Sequence, residues 1–378
     1  MINFNEAPFL GDEFTYIKDA IDSKHISGNG KYGKLCCEIL ETVTGAKKAL
    51  MTNSCTAALE MSALILNLGP GDEVICPSFT FVSSASAFAL RGAKIVFVDI
   101  KNDTLNMDEN LLERAISPKT KAIVAVHYAG VSCEMEKIMQ IAEKYSIAVI
   151  EDAAQAVGSF YGDKPCGSAG DFGCLSFHET KNISCGEGGA LLVNNEDFIE
   201  QAEIVLEKGT NRSLFFRGQV DKYTWVELGS SYLPSDMLAA YLYPQLCNIE
   251  NINGKRMEIW NNYHKNFEEF EAKGLIKRPF IPTNCKHNAH LYYLRFQNLE
   301  LRTEFIDFMK RREIGCVFHY VPLHSSPAGQ KYGRVSGEMK ITDKVSETLV
   351  RLPLFYGMDC EAQSEVIDRA VEFLKKLL

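Results

Sequence analysis

An acidic residue and a lysine stand where a protein could build a cofactor site. Asp152 follows the apolar run of residues 147–150, while Ser176 and Lys181 lie about thirty residues further on, after another apolar segment. Ligands of α/β proteins bind at the carboxyl ends of the strands, so these side chains can meet at one edge of a sheet. Taken singly, each residue also has an ordinary interpretation. The acid fits the cap of a helix, and the lysine fits a solvated surface group.

Together these residues have the types that pyridoxal phosphate (PLP) requires. PLP needs a lysine that forms a Schiff base and an acid that keeps the ring nitrogen protonated, so that the ring accepts electrons. Its phosphate needs hydroxyl and amide donors. Ser54, Cys55 and Thr56 lie at a predicted strand-to-helix turn, where the first N–H groups of a helix bind anions. An ordinary helix cap fits the same residues, and both interpretations can hold.

The elements that must position these residues alternate along the chain. Apolar runs predict strands over residues 73–76, 94–98, 121–126, 147–150 and 189–193, with helices over 56–68, 82–90 and 134–145. Continuous apolar strands separated by helices are typical of a parallel sheet covered on both faces. We therefore predict an α/β fold, with a large domain over residues 1–248 that includes an N-terminal arm.

The C-terminal third has a different pattern. It predicts a long helix over residues 249–270, strands over 291–296 and 317–321, and helices over 303–312 and 361–378. Such a mixture predicts a smaller α+β domain over residues 249–378.

Composition excludes several classes of protein. The 378 residues are 46% hydrophobic and 24% charged, as in ordinary globular proteins, and the length suits two domains. A net charge of −9 without dense Lys or Arg runs disfavours nucleic acid as a partner. Neither a signal peptide nor a membrane-length apolar run is present, so we expect a cytoplasmic protein. The twelve cysteines contain no CxxC pair, which indicates thiols rather than disulfides or zinc ligands.

Residues 28–33 match the dinucleotide fingerprint GxGxxG. That motif binds a pyrophosphate only when it follows a strand and opens a helix. Here Phe14, Ile17 and Ile21 precede it at helical spacing, so we predict a loop. A nicotinamide-dependent oxidoreductase remains an alternative that rests on this motif alone.

The motifs around Asp152 and Lys181 resemble those of the DegT/StrS-type, PLP-dependent nucleotide-sugar aminotransferases. The resemblance runs from Asn3 to Tyr356, and residues 176–181, 207–213, 216–225 and 319–324 carry it most clearly. It implies the aspartate-aminotransferase-like fold (PLP fold type I), with a mainly parallel sheet in the large domain. It also implies PLP as cofactor, a nucleotide sugar and L-glutamate as substrates, and a homodimer with shared active sites.

The resemblance implies roles for the cofactor-binding residues. Lys181 corresponds to the Schiff-base lysine and Asp152 to the partner of the ring nitrogen. Gln155 corresponds to a group near the phenolic oxygen, and Phe81 to the aromatic residue that stacks on the ring, although its position also suits an ordinary core phenylalanine. The residues that correspond to phosphate ligands are Ser54, Cys55, Thr56 and Ser176.

One segment departs from the family pattern. Many relatives carry Gly-x-Asn-x-Arg, whose asparagine reaches the phosphate of the neighbouring subunit. Residues 229–233 read Gly-Ser-Ser-Tyr-Leu here, so Ser231 would replace the asparagine and the arginine is missing. A simpler interpretation is that Ser231 only ends a loop, before a helix that Ser235 caps.

For the substrate, the resemblance places His319, Tyr320 and His324 near the sugar nucleotide. Arg212 and Arg217 lie in a basic, aromatic loop and could clamp a diphosphate, although solvated loop charges fit nearly as well. Loop histidines are an equally ordinary interpretation of residues 319 and 324. No carboxylate or cysteine clusters beside them at regular spacing, so we predict no metal site.

Three alternatives to a sugar C4-aminotransferase remain on the same fold. A 3-keto sugar nucleotide aminotransferase differs only in the carbon that receives the amine. A PLP-dependent sugar dehydratase would carry histidine in place of Lys181, according to the resemblance. A non-catalytic regulator would have no need for the set of Asp152, Ser176 and Lys181.

Overall fold

The computed structural model describes all residues from 1 to 378. The helices are α1 (Glu13–Asp22), α2 (Lys31–Thr44), α3 (Cys55–Ile65), α4 (Ser83–Ala89), α5 (Leu112–Ala115), α6 (Met135–Tyr145), α7 (Ile199–Leu206), α8 (Arg212–Phe216), α9 (Asp236–Cys247), α10 (Ile249–Asn266), α11 (Glu268–Ala272), α12 (Leu299–Lys310), α13 (Pro327–Tyr332), α14 (Lys340–Thr348) and α15 (Cys360–Lys375). The strands are β1 (Lys48–Thr52), β2 (Glu73–Pro77), β3 (Lys94–Val98), β4 (Thr120–Val126), β5 (Ala148–Asp152), β6 (Phe160–Tyr161), β7 (Lys164–Pro165), β8 (Phe172–Ser176), β9 (Gly189–Val193), β10 (Cys285–Lys286), β11 (Tyr292–Arg295), β12 (Val317–Phe318), β13 (Gly333–Val335) and β14 (Leu349–Leu352).

An eight-stranded sheet with the order β1-β9-β8-β5-β4-β2-β3-β13 forms the centre of the molecule. The strands run parallel except β9, which is antiparallel to both of its neighbours. Every residue of β2, β8 and β9 is buried, because helices cover both faces of the sheet. This confirms the predicted α/β fold with a mainly parallel sheet.

The eighth strand of this sheet comes from the C-terminal third of the chain. Strand β13 pairs in parallel with β3, and Arg334 within it donates two hydrogen bonds, of 2.9 and 2.8 Å, to the Glu73 carboxylate. The strand has only three residues, one of them an arginine, so no apolar pattern in the sequence predicts it. Residues after 248 thus contribute a strand to the large sheet. The division of the chain into two domains at residue 248 therefore stays a prediction.

A second, smaller sheet is formed by the C-terminal third. Strand β14 is its centre and pairs in antiparallel fashion with β11 and β12. Its core holds large aromatic side chains from α10, α12 and α15, among them Trp260, Tyr263, Phe305 and Phe373. The predicted helix over residues 249–270 is in fact two helices, since α10 ends at Asn266 and α11 begins at Glu268.

The GxGxxG segment does not follow a strand. Residues 28–30 belong to the loop after α1, as predicted, but residues 31–33 form the first turn of α2, which corrects the prediction of a loop over the whole segment. The amides of Tyr32 and Gly33 in this turn donate to the Asp236 carboxylate, at 3.3 and 2.8 Å. A Cβ on Gly30 would lie 2.5 Å from that carboxylate. The glycine therefore permits close packing against α9, and two amides of the helix start are already bonded to a carboxylate of the chain, which disfavours a pyrophosphate there.

Candidate active site

A cavity of about 640 Å³ lies at the carboxyl ends of β1, β5 and β8 and extends to residues of the small sheet. Strand β1 runs in the same direction as β8, because both are antiparallel to β9 between them. The ends of these strands therefore meet at one edge, as the sequence analysis anticipated. The predicted site residues that line the cavity are Ser54, Cys55, Thr56, Phe81, Asp152, Gln155, Ser176, Lys181, His319 and Tyr320.

Asp152 is the last residue of β5, and its carboxylate is fixed by two donors. Ser84 Oγ lies 2.6 Å from Oδ2, and the Ala154 amide donates to Oδ1 at 3.2 Å. The Ser84 hydroxyl in turn contacts Thr80 Oγ1 at 2.8 Å. Since each carboxylate oxygen has its own partner, the side chain is held in one orientation. Ser84 stands in a run of small residues that predicts only a helix, so its contact with Asp152 could not be predicted from the sequence.

The residue before Asp152 anchors the end of this strand. The Glu151 side chain is buried and contacts His127 Nε2 at 2.8 Å and the amides of Gly167, Ala169 and Gly170 at 2.7–2.8 Å. Burial raises the pKa of Glu151, but the hydrogen bonds from His127 and the backbone outweigh it, so the pKa lies below its ordinary value. An ionised Glu151 thus holds the backbone on the side of β5 opposite Asp152.

Lys181 lies in the turn that follows β8, with its amide bonded to the His178 carbonyl at 2.9 Å. Burial lowers the pKa of Lys181 from its ordinary value; Cys55 and Asp152 oppose this shift, and the positive charge of Arg351 adds to it. A lowered pKa increases the fraction of neutral amine, which is the form that acts as nucleophile and base.

The residue after Lys181 fixes the backbone of this turn. Asn182 is buried, and its Nδ2 donates to the Asn288 carbonyl at 2.8 Å and to Asn253 Oδ1 at 2.9 Å. Its Oδ1 lies 3.0 Å from His290 Nδ1. The turn that carries Lys181 is therefore tied to the C-terminal third of the chain, a set of contacts that no local pattern indicates.

Hydroxyl and amide donors gather at the start of α3. Ser54 caps this helix, accepting from the Ala57 amide at 3.1 Å, and Thr56 Oγ1 lies 2.7 Å from Ser83 Oγ. A Cβ on Gly189 would lie 2.4 Å from the Cys55 nitrogen, so glycine there lets β9 approach the turn. Together with the buried Ser176 at the end of β8, this region provides the hydroxyl and amide donors that bind a phosphate.

Polar but uncharged side chains line the opposite part of the cavity. Gln155 accepts from the Ala129 amide at 2.7 Å and donates to Tyr320 Oη at 3.0 Å. His319 Nδ1 lies 3.1 Å from Tyr128 Oη. Burial raises the pKa of Tyr320 and lowers that of His319 far enough that both are neutral near pH 7. Phe81 is 59% exposed, so its ring face is free for a ligand rather than part of the core.

The two predicted arginines lie outside this cavity. Arg212 and Arg217 are exposed, at 3.6 Å from Glu207 Oε2 and 2.7 Å from Glu203 Oε2 respectively. Each is therefore paired within its own chain, and their role toward a diphosphate stays a prediction.

His324 and Ser231 also lie outside the cavity. His324 Nδ1 is 2.8 Å from Ser78 Oγ, and its Nε2 is 3.4 Å from Asp343, so the ring holds a turn against the large sheet. Ser231 is exposed, and its carbonyl accepts from Asn53 Nδ2 at 3.4 Å, beside the turn that carries Ser54. Their roles as binding residues likewise stay predictions.

The donor set of the cavity fits PLP. It provides a lysine amine, an acid with both oxygens oriented, hydroxyl and amide donors at a helix start, and an exposed aromatic face. No three His, Cys, Asp or Glu side chains converge as metal ligands. No helix has the length and apolar character needed to span a bilayer. The fold and the cavity together define a PLP enzyme of fold type I.

Comparison with known proteins agrees with this class. Residues 10–371 match the DegT/DnrJ/EryC1/StrS aminotransferase family, and the chain belongs to that family. It is 37% identical to the uncharacterized protein MJ1066 of Methanocaldococcus jannaschii, over 98% of this chain and 96% of that protein. It is 33% identical to the spore coat polysaccharide biosynthesis protein SpsC of Bacillus subtilis, over 97% and 96% of the two chains.

Solved structures give the same result. The PLP form of the putative sugar aminotransferase Spr1654 from Streptococcus pneumoniae superposes with a TM-score of 0.91 at 29% identity, covering 100% of this chain and 99% of the other. Its PMP form gives a TM-score of 0.92 at 28% identity, with both chains fully covered. The protein is therefore a PLP-dependent aminotransferase, and the dehydratase, oxidoreductase and regulator alternatives are set aside.

Proposed function

We propose that this aminotransferase converts dTDP-4-keto-6-deoxy-D-glucose to dTDP-4-amino-4,6-dideoxy-D-galactose, with L-glutamate as the amine donor. The observation that carries amino transfer is the presence of Lys181 and an oriented Asp152 in one cavity. The similarity of residues 176–181, 207–213, 216–225 and 319–324 to dTDP-4-amino-4,6-dideoxygalactose transaminases supports this particular substrate. The names of SpsC and Spr1654 support a sugar substrate in general.

The side chains of the cavity have different roles in the proposed reaction. When bound, PLP supplies a ring that withdraws the electron pair released at the substrate carbon. The Asp152 carboxylate, held by Ser84 and the Ala154 amide, keeps the proton on the ring nitrogen. Lys181 Nζ takes the proton from the donor carbon and returns one to the sugar carbon, as general base and acid. Neutral His319 and Tyr320 orient the sugar, while Ser54, Cys55, Thr56 and Ser176 hold the phosphate.

The identity of the product tests this proposal. The purified protein is incubated with dTDP-4-keto-6-deoxyglucose, L-glutamate and PLP, and the product is analysed by NMR. We expect an amine on C4 with the galacto configuration, and no product when glutamate is omitted. A parallel incubation contains the corresponding 3-keto sugar nucleotide instead. Amination of that compound at C3, with no reaction of the 4-keto compound, would establish the alternative aminotransferase.

We further propose that two chains form a homodimer in which each contributes Ser231 to the phosphate site of its partner. The resemblance to the family supports this role, and the exposed Ser231 lies beside the β1–α3 turn. In a symmetric dimer such an exchange creates two equivalent composite sites. The side chain of Ser231 is then close to a neighbouring cofactor although it lies outside its own chain's cavity.

Mixing two inactive variants tests the shared site. Lys181→Ala disables the site of its own chain, and Ser231→Trp blocks the partner's site by bulk. Each homodimer should be inactive, whereas a mixed dimer contains one site with both native residues. Random exchange of equal amounts makes half of the dimers mixed, so about a quarter of the sites should recover.

A second mixture is the matched control. Lys181 and Asp152 line the same cavity of one chain, so mixing Lys181→Ala with Asp152→Asn should restore nothing. Subunit exchange is verified with two affinity tags, and folding of Ser231→Trp by circular dichroism. If those checks pass and the first mixture stays inactive, Ser231 does not serve the neighbouring site.

A further inference from the structure

The N-terminal residues cross from the small sheet to α9 as a strap (residues 2–8). At the start of the strap, the Ile2 amide donates to the Glu313 carbonyl at 2.7 Å and the Ile2 carbonyl accepts from the Gly315 amide at 2.9 Å, just before β12. At its end, the Pro8 carbonyl accepts a hydrogen bond of 3.0 Å from a buried glutamine of α9. The strap is thus held at both ends, and residues between these ends form part of the cavity wall.

The same glutamine also holds the turn that carries Lys181. Gln245 is buried, and while its Nε2 holds the strap, its Oε1 accepts from the Ser184 amide at 2.9 Å. A second link between the strap and this turn is made by Asn5, whose Nδ2 donates to the Glu179 carbonyl at 3.2 Å. Two side-chain amides therefore keep the strap and the turn in one geometry.

Asn5 also has an unused acceptor in the cavity of Lys181. A carbonyl oxygen can only accept, so the contact with Glu179 assigns Nδ2 to that side of the amide and leaves Oδ1 on the other. Asn5 lines the cavity, and its Oδ1 makes no hydrogen bond within the chain. The oxygen of the Gln155 amide, by contrast, already accepts from the Ala129 amide at 2.7 Å. Asn5 thus offers a ligand a neutral acceptor.

The chemistry of the two proposed substrates decides which of them uses this acceptor. The carboxylates of glutamate carry only lone pairs, so they gain nothing from a second acceptor, whereas the hydroxyls of a sugar donate. In the proposed 4-keto-6-deoxy sugar, the neighbours of the reacting carbon are C3, which bears a hydroxyl, and C5, which bears the methyl group. Glu179 and Lys181 belong to one turn, so a sugar with C4 at the lysine has its C3 hydroxyl as the nearest donor for Asn5.

We propose that Asn5 Oδ1 accepts a hydrogen bond from the C3 hydroxyl of the sugar nucleotide and thereby selects sugars that carry a hydroxyl next to the reacting carbonyl. The proposal rests on the proposed function and adds a residue that recognises its sugar substrate. Both half-reactions depend on the turn that Asn5 Nδ2 helps to hold, but only the sugar half-reaction uses Oδ1.

Comparison of two sugars in one variant tests this assignment. Single-turnover absorbance changes of PMP-loaded Asn5→Ala are followed with the keto sugar nucleotide and with its 3-deoxy analogue. The ratio of the two kcat/KM values measures the preference for the hydroxyl, and it cancels any change in the Lys181 turn because both sugars need that lysine. The worth of a neutral hydrogen bond supports a fall of roughly 3- to 10-fold in this ratio relative to the wild type. The half-reaction of the PLP-loaded variant with L-glutamate should lose less than the sugar half-reaction.

Two further variants separate the roles of the two amide atoms. Asn5→Asp keeps an acceptor but has no N–H for the Glu179 carbonyl, so it should slow both half-reactions and still prefer the hydroxylated sugar. Asn3→Ala is the matched control, since Asn3 is an asparagine of the same strap that donates to Glu6 at 2.9 Å and does not line the cavity. It should leave both half-reactions and the preference unchanged.

A binding measurement gives a readout apart from turnover. dTDP-glucose and its 3-deoxy analogue have no ketone and do not react, so their Kd values for the PLP-loaded protein can be measured by calorimetry. The wild type should bind dTDP-glucose more tightly than the analogue, and this preference should fall by a similar factor in Asn5→Ala.

Two results would overturn the assignment alone. These are equal losses of folded Asn5→Ala in the glutamate and sugar half-reactions, or an unchanged preference for the C3 hydroxyl in turnover and binding. Failure of the proposed substrate has a different signature. The wild-type enzyme would then react with glutamate but not with the dTDP-4-keto sugar, and the assignment of Asn5 to the C3 hydroxyl would be wrong together with that substrate.

Discussion

Lys181→Ala should fold and still bind PLP, yet lose turnover by several orders of magnitude. The substitution removes the only lysine that lines the cavity, and with it the amine that moves protons at the reacting carbon. The phosphate donors at the start of α3 and the Asp152 carboxylate are untouched, which is why cofactor binding should persist. Turnover is measured with L-glutamate and the keto sugar nucleotide, and cofactor content by absorbance.

Two comparisons make the result specific to this amine. Lys121→Ala changes an exposed lysine of β4 and should retain native turnover. Small primary amines added to Lys181→Ala should restore part of the activity, because they replace the missing base in the vacated space. Near-native turnover of Lys181→Ala without added amine would refute the assigned role.

Asp152→Asn should reduce turnover by at least about tenfold, equivalent to ~1.4 kcal/mol of barrier, with a much smaller effect on folding. The amide has the same size and keeps the packing at the end of β5, but it carries no charge to hold the proton on the ring nitrogen. Its oxygen can still accept from the Ala154 amide, and its NH2 group can donate to Ser84 Oγ, because a hydroxyl oxygen also accepts hydrogen bonds. Turnover and the denaturant midpoint of unfolding are measured in parallel.

Asp171→Asn provides a matched control. The Asp171 carboxylate accepts from the Val149 amide at 2.9 Å and is not part of the cavity wall. The same chemical change should therefore lower stability while leaving turnover near the native value. If Asp152→Asn lost less than tenfold in turnover, or lost it only in proportion to stability, Asp152 would not be the partner of the ring nitrogen.

The site residues that could be predicted are those whose pattern lies within a short segment of the sequence. Asp152 follows an apolar run, and Ser176 and Lys181 follow another, so strand ends and the parallel topology are enough to bring them to one edge. Resemblance to the family then added Phe81, Gln155 and Tyr320, whose chemistry alone is ambiguous. The structure places all of these on one cavity, although their individual roles stay predictions.

The residues that were missed act through distant partners. Ser84 supports Asp152 from a helix of small residues, and Asn182 ties the Lys181 turn to Asn253 and Asn288. Neither contact has a spacing that a single sequence reveals, because the partners are 68 to 106 residues apart.

The position of the covalent attachment tests the account most directly. PLP-loaded protein is reduced with borohydride, which fixes the cofactor permanently on the amine that holds it, and then digested and mapped by mass spectrometry. We predict that the added mass lies on Lys181 and that the reduced protein no longer reacts with L-glutamate. Attachment to any other lysine, or retention of full activity after complete reduction, would contradict the central claim that Lys181 in this cavity carries the cofactor.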